Sequence, residues 1–234
     1  MPTGAAPGRN LLELYVDLRD EGISALEHLL PHLWTFYPER LDIDMVLQGC
    51  STVLDLGCGP LSIVRRSKAT TYKVGVDIFR RYLLECVRER THDDLVLCDL
   101  TKPCIRPKSF DAVVAFEVLE HMTKEQGVAL MNHMESAARR LVVVTTPNGH
   151  VEQEEYEGNP YQEHRSSWVA DDLRSLGYEV IGLNGLKALR GRLGRVIFKP
   201  KICGEWLSFI SQVLVQSRPE RAFQLMGIKR LQAP

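Results

Sequence analysis

The sequence predicts an α/β fold built around a mostly parallel sheet with helices on both faces. Three observations predict it. Short apolar and β-branched segments recur between residues 52 and 145, and amphipathic helical patterns separate them. The segments are apolar throughout instead of alternating, which is typical of strands that are covered on both faces. Several of them end at an aspartate or a glycine, where a loop is expected to begin.

Seven segments have the strand pattern. Five of them alternate with helical patterns, and they are Thr52–Leu56, Tyr72–Val76, Leu95–Cys98, Asp111–Phe116 and Leu141–Thr145. Two more follow, at Tyr178–Leu183 and Ala222–Lys229. The helical patterns occupy Ile78–Arg90, Lys124–Arg139 and the stretch around Trp168–Leu176. Strands that alternate with helices favour right-handed βαβ units, and hence a parallel sheet.

The length of 234 residues suits one domain with extensions. Residues 1–10 contain several small, Gly and Pro residues, and we expect them to be a flexible N-terminus. Residues 11–49 are expected to form N-terminal helices, and residues 50–234 the main domain. Residues 184–221 separate the last two strand segments, and such a gap is long for a plain connection. We interpret them as a basic insertion or lid that contains an apolar helix over Trp206–Val215.

Charge is distributed unevenly along the chain. From Asn184 to the end there are ten basic and two acidic residues, a charge of +8, although the whole chain has a net charge of −1. A basic segment of this kind indicates contact with an anionic partner or with the acidic body of the protein. The apolar stretch next to Lys199 and Lys201 predicts a peripheral membrane contact through residues 199–216.

Composition excludes several classes of protein. Hydrophobic residues make up 44% and charged residues 25%, which excludes global disorder and a collagen-like repeat. No apolar run approaches the roughly 18 residues that span a bilayer. The first residues lack the apolar segment of a signal peptide, so we expect a cytoplasmic location. Six cysteines without a C-x-x-C pair argue against a disulfide framework and against a cysteine zinc site.

The first strand runs into a glycine-rich turn that predicts a nucleotide-like ligand. Its sequence is Val-Leu-Asp55-Leu-Gly57-Cys58-Gly59-Pro, and the third position after Gly59 is serine, which departs from the dinucleotide pattern. A carboxylate at Asp55 suits a cationic ligand better than a pyrophosphate. Asp77 and Asp99 end the next two strands, where carboxylates can accept hydrogen bonds from ribose hydroxyls and from an adenine amine. A ligand with a ribose, an adenine and a positive charge is S-adenosylmethionine.

Four segments together resemble the successive motifs of class I S-adenosylmethionine-dependent methyltransferases. They are VLDLGCGP, the strand that ends at Asp77, LVLCDL and FDAVVAFEVLEHM. The resemblance implies a Rossmann-like seven-stranded sheet of order 3-2-1-4-5-7-6. It also implies a cofactor site in which Asp55, Gly57, Cys58 and Gly59 follow the methionine end. It further implies that residues at the next three strand ends contact the rest of the cofactor. Asp77 with Ile78 would contact the ribose, Asp99 with Leu100 the base, and Phe116 with Glu117 the sulfonium.

The acceptor is less constrained than the cofactor. The pattern around Asn159-Pro160-Tyr161 resembles ubiquinone-biosynthesis-type and glycan-associated O-methyltransferases, which implies a small-molecule acceptor that is methylated on oxygen. A hydroxyl nucleophile benefits from a general base. We predict His121, His164 and Tyr161 as the catalytic residues that face the acceptor, and we expect no metal. Glu120 and His121 are expected mainly to brace the following helix.

Two alternatives remain open. Glu117, Glu120, His121 and His164 could hold a divalent metal, and the run from His164 to Trp168 resembles the metal-binding segment of small-RNA 2′-O-methyltransferases, although Ser166 and Ser167 replace that family's aromatic-acidic pair. A nucleic acid is therefore the less favoured partner. The second alternative is a non-catalytic cofactor-binding partner protein, because a fold alone does not establish catalysis. The oligomeric state is left open.

Overall fold

We describe a computed structural model, which defines residues 43–102, 105–153 and 158–232. The N-terminal segment 1–10 and the predicted helices up to residue 42 lie outside these described residues. The described chain forms one seven-stranded sheet of order β3-β2-β1-β4-β5-β7-β6, with helices packed against it. The predicted α/β fold class and strand order are therefore confirmed.

The strands are close to those predicted. Their bounds are β1 (Thr52–Leu56), β2 (Tyr72–Asp77), β3 (Asp94–Leu97), β4 (Phe110–Phe116), β5 (Ala138–Pro147), β6 (Glu179–Leu186) and β7 (Ala222–Arg230). β1 pairs in parallel with β2 and β4, and β4 pairs in parallel with β5. β7 is antiparallel to both β5 and β6.

Six α-helices lie within the described ranges. They are α1 (Ile43–Val46), α2 (Arg80–Glu89), α3 (Lys124–Ala137), α4 (Ala170–Ser175), α5 (Lys201–Ile210) and α6 (Gln212–Gln216). Among these described helices, none combines the length and the apolar character that crossing a bilayer requires. α3 begins with a capping box, in which Thr123 and Gln126 satisfy each other's backbone N–H groups.

The insertion differs from its prediction in two respects. β6 continues to Leu186, so the insertion begins at Lys187 instead of Asn184. The single helix predicted over Trp206–Val215 is two helices, α5 and α6, which are separated at Ser211. The Ser211 hydroxyl donates a hydrogen bond to the Ser208 carbonyl at 2.7 Å, and this local bond competes with regular helical bonding.

The sheet is covered on both faces by apolar residues. One core cluster joins β1, β2, β4 and β5 to α3 and α4, and the other joins β1, β4 and β5 to α1. Trp168 is fully buried in the first cluster, where its ring lies against Gly127 of α3. Its indole N–H donates to the Ser166 hydroxyl at 3.1 Å, so this packing also positions the loop that contains His164.

Gly127 is predicted to be necessary for this packing. A Cβ added there would lie 2.5 Å from Cζ2 of the buried Trp168 ring. We expect Gly127→Ala to destabilise the protein by about 1 to 3 kcal/mol through overpacking, although alanine has the higher helix propensity. Urea unfolding followed by tryptophan fluorescence measures the change. Ala129→Gly, at an exposed position of the same helix, supplies the propensity term alone, and a stabilised Gly127→Ala protein would contradict the prediction.

Candidate functional site

The main cleft lies at the carboxyl ends of β1, β4 and β5. In an open parallel sheet, ligands bind where the strand order reverses, which here is between β1 and β4. The cleft has a volume of about 480 Å³, within the range of small-molecule sites. The glycine turn and the residues around it form one wall, with Asp55, Gly57, Cys58, Gly59, Pro60, Leu61, Ser62 and Ile63. The ends of β4 and β5 contribute Phe116, Glu117 and Thr145, and three side chains come from elsewhere in the chain, namely Tyr82, Gln162 and Gln224.

The glycine turn after β1 is held by backbone hydrogen bonds. The N–H groups of Gly57 and Cys58 donate to the Val76 carbonyl at 2.7 and 3.0 Å. Gly57 has a φ of 68°, and a Cβ there would lie 2.5 Å from the Val118 side chain. Only glycine fits both the backbone conformation and the space. The turn therefore brings β1, β2 and the residues after β4 together at one edge of the sheet.

Asp77 ties the end of β2 to this turn. Its two carboxylate oxygens accept hydrogen bonds from the N–H groups of Gly59, at 3.0 Å, and Phe79, at 2.8 Å. Burial raises the pKa of the Asp77 carboxyl above its usual range. Ile78 follows it directly and is half-buried. The ribose contact expected of Asp77 stays a prediction.

Asp99 lies in the loop after β3 and is exposed. Its carboxylate accepts hydrogen bonds from the backbone N–H and the hydroxyl of Thr101, and these lower the pKa of Asp99. Leu100 beside it is buried. Neither residue lines the cleft described above, so the adenine contact stays a prediction from the resemblance.

A polar network that the sequence analysis missed supports the turn from below. The buried Asp55 carboxylate accepts hydrogen bonds from the Ser62 hydroxyl and from Nε2 of His92, the latter at 3.1 Å. Cys86 of α2 donates from Sγ to the Gly59 carbonyl at 3.2 Å. The ligand atoms of Cys58, Cys86 and His92 lie within 4.8 Å of one another. Because Nδ1 of His92 already bonds the Thr91 hydroxyl at 2.8 Å, both ring nitrogens are in use, which favours a structural network.

Glu117 follows β4 in an uncommon backbone conformation. Its φ is 54°, in the left-handed region that non-glycine residues rarely occupy. Its Oε1 accepts hydrogen bonds from the Thr145 hydroxyl at 2.9 Å and from Nε2 of Gln224 at 2.6 Å. The surrounding protein raises the pKa of the Glu117 carboxyl, because desolvation penalises its charged form. Strained residues that neighbouring groups hold in place are frequent at functional sites.

A second cluster joins Glu120, His121 and His164 beside Glu117. One ligand atom of each residue lies within 4.8 Å of those of the other two. The two imidazole rings are in edge contact, with centroids 4.9 Å apart. Nδ1 of His121 bonds the Glu163 carbonyl at 3.1 Å, and Nδ1 of His164 bonds the Val151 carbonyl at 2.7 Å. Since a carbonyl only accepts, each Nδ1 is the donor, and the neutral rings present an unprotonated Nε2.

The charges in this second cluster follow from its burial. Desolvation, together with the Glu117 charge, raises the pKa of Glu120 well above its ordinary value. Burial and the neighbouring His164 lower the pKa of His121 to about 4, and burial also lowers the pKa of His164. Oε2 of Glu120 is buried and has no hydrogen-bond partner among the described residues. A buried carboxylate oxygen without a partner is costly unless another group satisfies it.

Main-chain hydrogen bonds explain why His164 meets Glu120 although 44 positions separate them. The N–H groups of Arg165 and Ser166 both donate to the Glu120 carbonyl, at 2.7 and 3.1 Å. The Ser166 hydroxyl donates to the Leu119 carbonyl at 3.1 Å. The serine that departs from the small-RNA methyltransferase pattern is therefore part of the clamp between the two segments.

The predicted catalytic residues are only partly brought together. His121 and His164 are in contact, whereas Tyr161 is 49% exposed and does not line the cleft described above. Its neighbour Gln162 does line it. The sequence analysis also missed Tyr82, Thr145 and Gln224. Gln224 had a usable signal, because it is a polar residue within the apolar run of β7.

The pair between His92 and Asp55 predicts a pH effect. Although burial opposes it, the hydrogen bond that His92 donates to Asp55, together with its bond to Cys86, raises the pKa of His92 from 6.5 to about 9. This contribution to stability is fully present below pH 6.5 and is lost as the pH rises through about 9. We expect the free energy of unfolding to fall by about 1 to 3 kcal/mol across this interval, and we expect His92→Gln to flatten the profile. His133→Gln, at an exposed histidine, is the control, and equal slopes in all three proteins would contradict the prediction.

Part of the chain matches a known protein family. Residues 54–151 match a family model described as a methyltransferase domain. A search of proteins of curated function gave no match. The comparison with solved structures found a methyltransferase from Archaeoglobus fulgidus that depends on S-adenosylmethionine, at 17% identity and a TM-score of 0.54 over 89% of this chain and 94% of that one.

Two further solved structures align with this chain. DhpI in complex with SAH aligns at 14% identity and a TM-score of 0.52, over 90% of this chain and 91% of that one. The methyltransferase domain of the bacterial protein CtHen1 aligns at 20% identity and a TM-score of 0.49, over 81% of this chain and 95% of that one. The family match over residues 54–151 shows a methyltransferase domain, and the sheet has the strand order that the resemblance to class I methyltransferases implies. The chain is therefore an enzyme that transfers a methyl group from S-adenosylmethionine.

Proposed function

We propose that the enzyme methylates an oxygen atom of an acceptor with neighbouring hydroxyl groups, and that a divalent metal ion held by Glu120, His121 and His164 orients this acceptor. The observation that carries the proposal is the convergence of these three ligand atoms within 4.8 Å beside the cleft wall at Glu117. The proposal replaces the bracing role that the sequence analysis favoured for Glu120 and His121, and it revises the expectation that no metal is used.

Three features of the cluster fit a metal ion. The buried Oε2 of Glu120 lacks a hydrogen-bond partner among the described residues, so a cation would satisfy it. Both histidines donate their Nδ1–H to backbone carbonyls, which is the outer-shell arrangement typical of metal-binding histidines. The donor set of one carboxylate and two imidazoles suits Mn²⁺, Zn²⁺ or a similar ion.

The remaining chemistry belongs to the chain and the cofactor. The sulfonium of S-adenosylmethionine already carries its leaving group, so the protein has mainly to align the acceptor oxygen with the methyl carbon. A bound divalent ion would lower the pKa of a hydroxyl that coordinates it. Glu117 borders both the cleft and the proposed metal cluster, and its bonds to Thr145 and Gln224 hold its side chain at the cleft wall.

A neighbouring pair of hydroxyls occurs in small catechols and sugars and also at the 3′ end of RNA. The sequence analysis favoured a small molecule, and the metal cluster favours any acceptor that can chelate.

Free thiols at Cys50, Cys58, Cys86, Cys98 and Cys203 are consistent with the proposed cytoplasmic location.

Removal of a metal ligand tests the proposal. We expect Glu120→Gln and His164→Ala to weaken Mn²⁺ binding at least ten-fold, measured by calorimetry and by the electron paramagnetic resonance of the free ion. Their affinity for S-adenosylhomocysteine should change less than two-fold, because neither side chain lines the cofactor turn. His133→Ala, a surface histidine on α3, is the matched control.

Methyl transfer from labelled cofactor then distinguishes the acceptors. An oligoribonucleotide with a 3′-terminal diol, the same oligonucleotide with a 3′-deoxy end, and a panel of catechols and sugars are compared with and without chelator. Loss of methylation in chelator supports the metal role. Full activity in metal-free enzyme, or unchanged Mn²⁺ binding in both variants, would contradict it.

The cofactor site generates a separate prediction. Asp77 holds the glycine turn and is the expected ribose ligand, so Asp77→Ala should weaken S-adenosylmethionine binding by at least ten-fold, or about 1.4 kcal/mol. Isothermal titration measures the affinity. Asp93→Ala, at an exposed aspartate that accepts the Lys73 N–H at 2.7 Å, is the control. Equal affinities in the two variants would refute the ribose role.

A further inference from the structure

The insertion between β6 and β7 has an exposed apolar surface that the methyltransferase site does not explain. On α5 and α6, Leu207, Ile210, Val213 and Leu214 are exposed by 42 to 63%. These residues follow helical spacing, so they share one side of the helical segment. In the adjoining hairpin, residues 189–198, the side chains of Leu193, Ile197 and Phe198 are exposed by 47 to 63%. Together these seven residues form what is called here the insertion surface.

The polarity of α5 and α6 is inverted relative to an ordinary surface helix. Ser208, Ser211 and Gln212 are buried at 2 to 3% exposure, and they face β6, the edge strand of the sheet. The Ser211 hydroxyl accepts the Leu186 N–H at 2.9 Å, and the Gln212 side chain bonds both the Gly185 N–H, at 3.1 Å, and the Gly182 carbonyl, at 2.8 Å. The polar side therefore satisfies the backbone of an edge strand, and the aliphatic side is left toward solvent.

The hairpin and α5 belong to one surface. Gly204 of α5 lies against the hairpin side, where an added Cβ would meet the side chains of Val196 at 2.5 Å and Phe198 at 2.7 Å. The hairpin is closed by bonds between Gly191 and Arg195 and between Ile197 and Leu189. Contiguous exposed apolar residues of this kind mark an interaction site in a soluble protein.

Positive charge accompanies the apolar residues. Arg192, Arg195 and Lys199 are all exposed on the hairpin and its continuation. Residues 187–221 contain eight basic and two acidic residues, a net charge of +6. Aliphatic side chains next to exposed Lys and Arg are typical of surfaces that lie at the boundary between headgroups and acyl chains of an anionic bilayer.

We infer that the insertion surface docks the enzyme on an anionic lipid bilayer. Leu207, Ile210 and Leu214, with Leu193 and Ile197 of the hairpin, enter the acyl boundary, and Arg195 and Lys199 contact lipid phosphates. A second copy of the chain is a poorer occupant, because it would bring two basic surfaces together. A nucleic acid is also poorer, because single strands are bound by successive stacking on several aromatic rings, and Phe198 is the one aromatic residue among the seven of the insertion surface.

Vesicle co-sedimentation of the full chain tests this inference. The probes are neutral phosphatidylcholine vesicles and vesicles that also contain phosphatidylglycerol. We expect binding to the anionic vesicles only, weakened by added salt. The triple variant Leu207→Ser, Ile210→Ser, Leu214→Ser and the double variant Arg195→Glu, Lys199→Glu should each lower the partition coefficient at least ten-fold.

Controls of matched chemistry lie outside the insertion. Leu84→Ser with Val87→Ser removes exposed aliphatic side chains from α2, and Arg88→Glu with Arg106→Glu reverses two exposed charges elsewhere on the protein. Both control variants should bind vesicles as the unchanged protein does. Circular dichroism and S-adenosylhomocysteine affinity verify that every variant is folded, so a failure of vesicle binding is distinguishable from a failure of the cofactor or metal site.

Three results would overturn the inference. The first is no binding to anionic vesicles, or unchanged binding by the triple variant. The second is a dimer in analytical ultracentrifugation that the triple variant abolishes, which would assign the surface to a second copy. The third is tight RNA binding that requires Arg195 and Lys199 but not the aliphatic residues, which would assign it to a nucleic acid.

Discussion

The side-by-side parallel pairing of β1 and β4 determines where every group of the cleft lies. Val53 to Leu56 are in register with Ala112 to Ala115, so both strands end at the same edge of the sheet. The glycine turn follows one strand and Glu117 follows the other. The cleft therefore lies between two loops that the sheet places side by side and that no local sequence feature could bring together alone.

The two loops are both stabilised by main-chain and side-chain hydrogen bonds. In the glycine turn, the Val76 carbonyl accepts from the N–H groups of Gly57 and Cys58, the Asp77 carboxylate accepts from the Gly59 N–H, and Asp55 pairs with His92. In the segment after β4, the Glu120 carbonyl accepts from the N–H groups of Arg165 and Ser166, and the Ser166 hydroxyl donates to the Leu119 carbonyl. Substitutions at Asp77 and His92 therefore affect the glycine turn, and a substitution at Ser166 affects the clamp between Glu120 and His164.

The sequence predicts the strands and the glycine turn but not the side-chain network around them. β1, the glycine turn and Asp77 were predictable because an apolar run that ends at a glycine or an aspartate indicates each of them, although Asp77 bonds Gly59 from 18 positions away. The partners of His92 and Gln224 were not predictable, since Asp55 and Glu117 are 37 and 107 positions away from them. The metal cluster was visible as a residue set, but its geometry depends on the clamp between Glu120 and Ser166. The separation of α5 from α6 at Ser211 accompanies a hydrogen bond from the Leu186 N–H of β6 to the Ser211 hydroxyl. Helical periodicity in the sequence does not indicate such a long-range contact.

The insertion and the candidate acceptor site share a structural connection. Arg192 of the hairpin pairs with Glu152, whose N–H donates to the Arg192 carbonyl at 3.0 Å. The neighbouring Val151 carbonyl accepts from Nδ1 of His164 at 2.7 Å. A partner that binds the hairpin therefore contacts the loop that orients His164, a ligand of the proposed metal ion. A hydrogen-bonded loop transmits a displacement only where it has an alternative arrangement. Docking of the hairpin would therefore affect His164 only if docking moves Val151. Without that movement, docking would act by bringing the cleft near its acceptor.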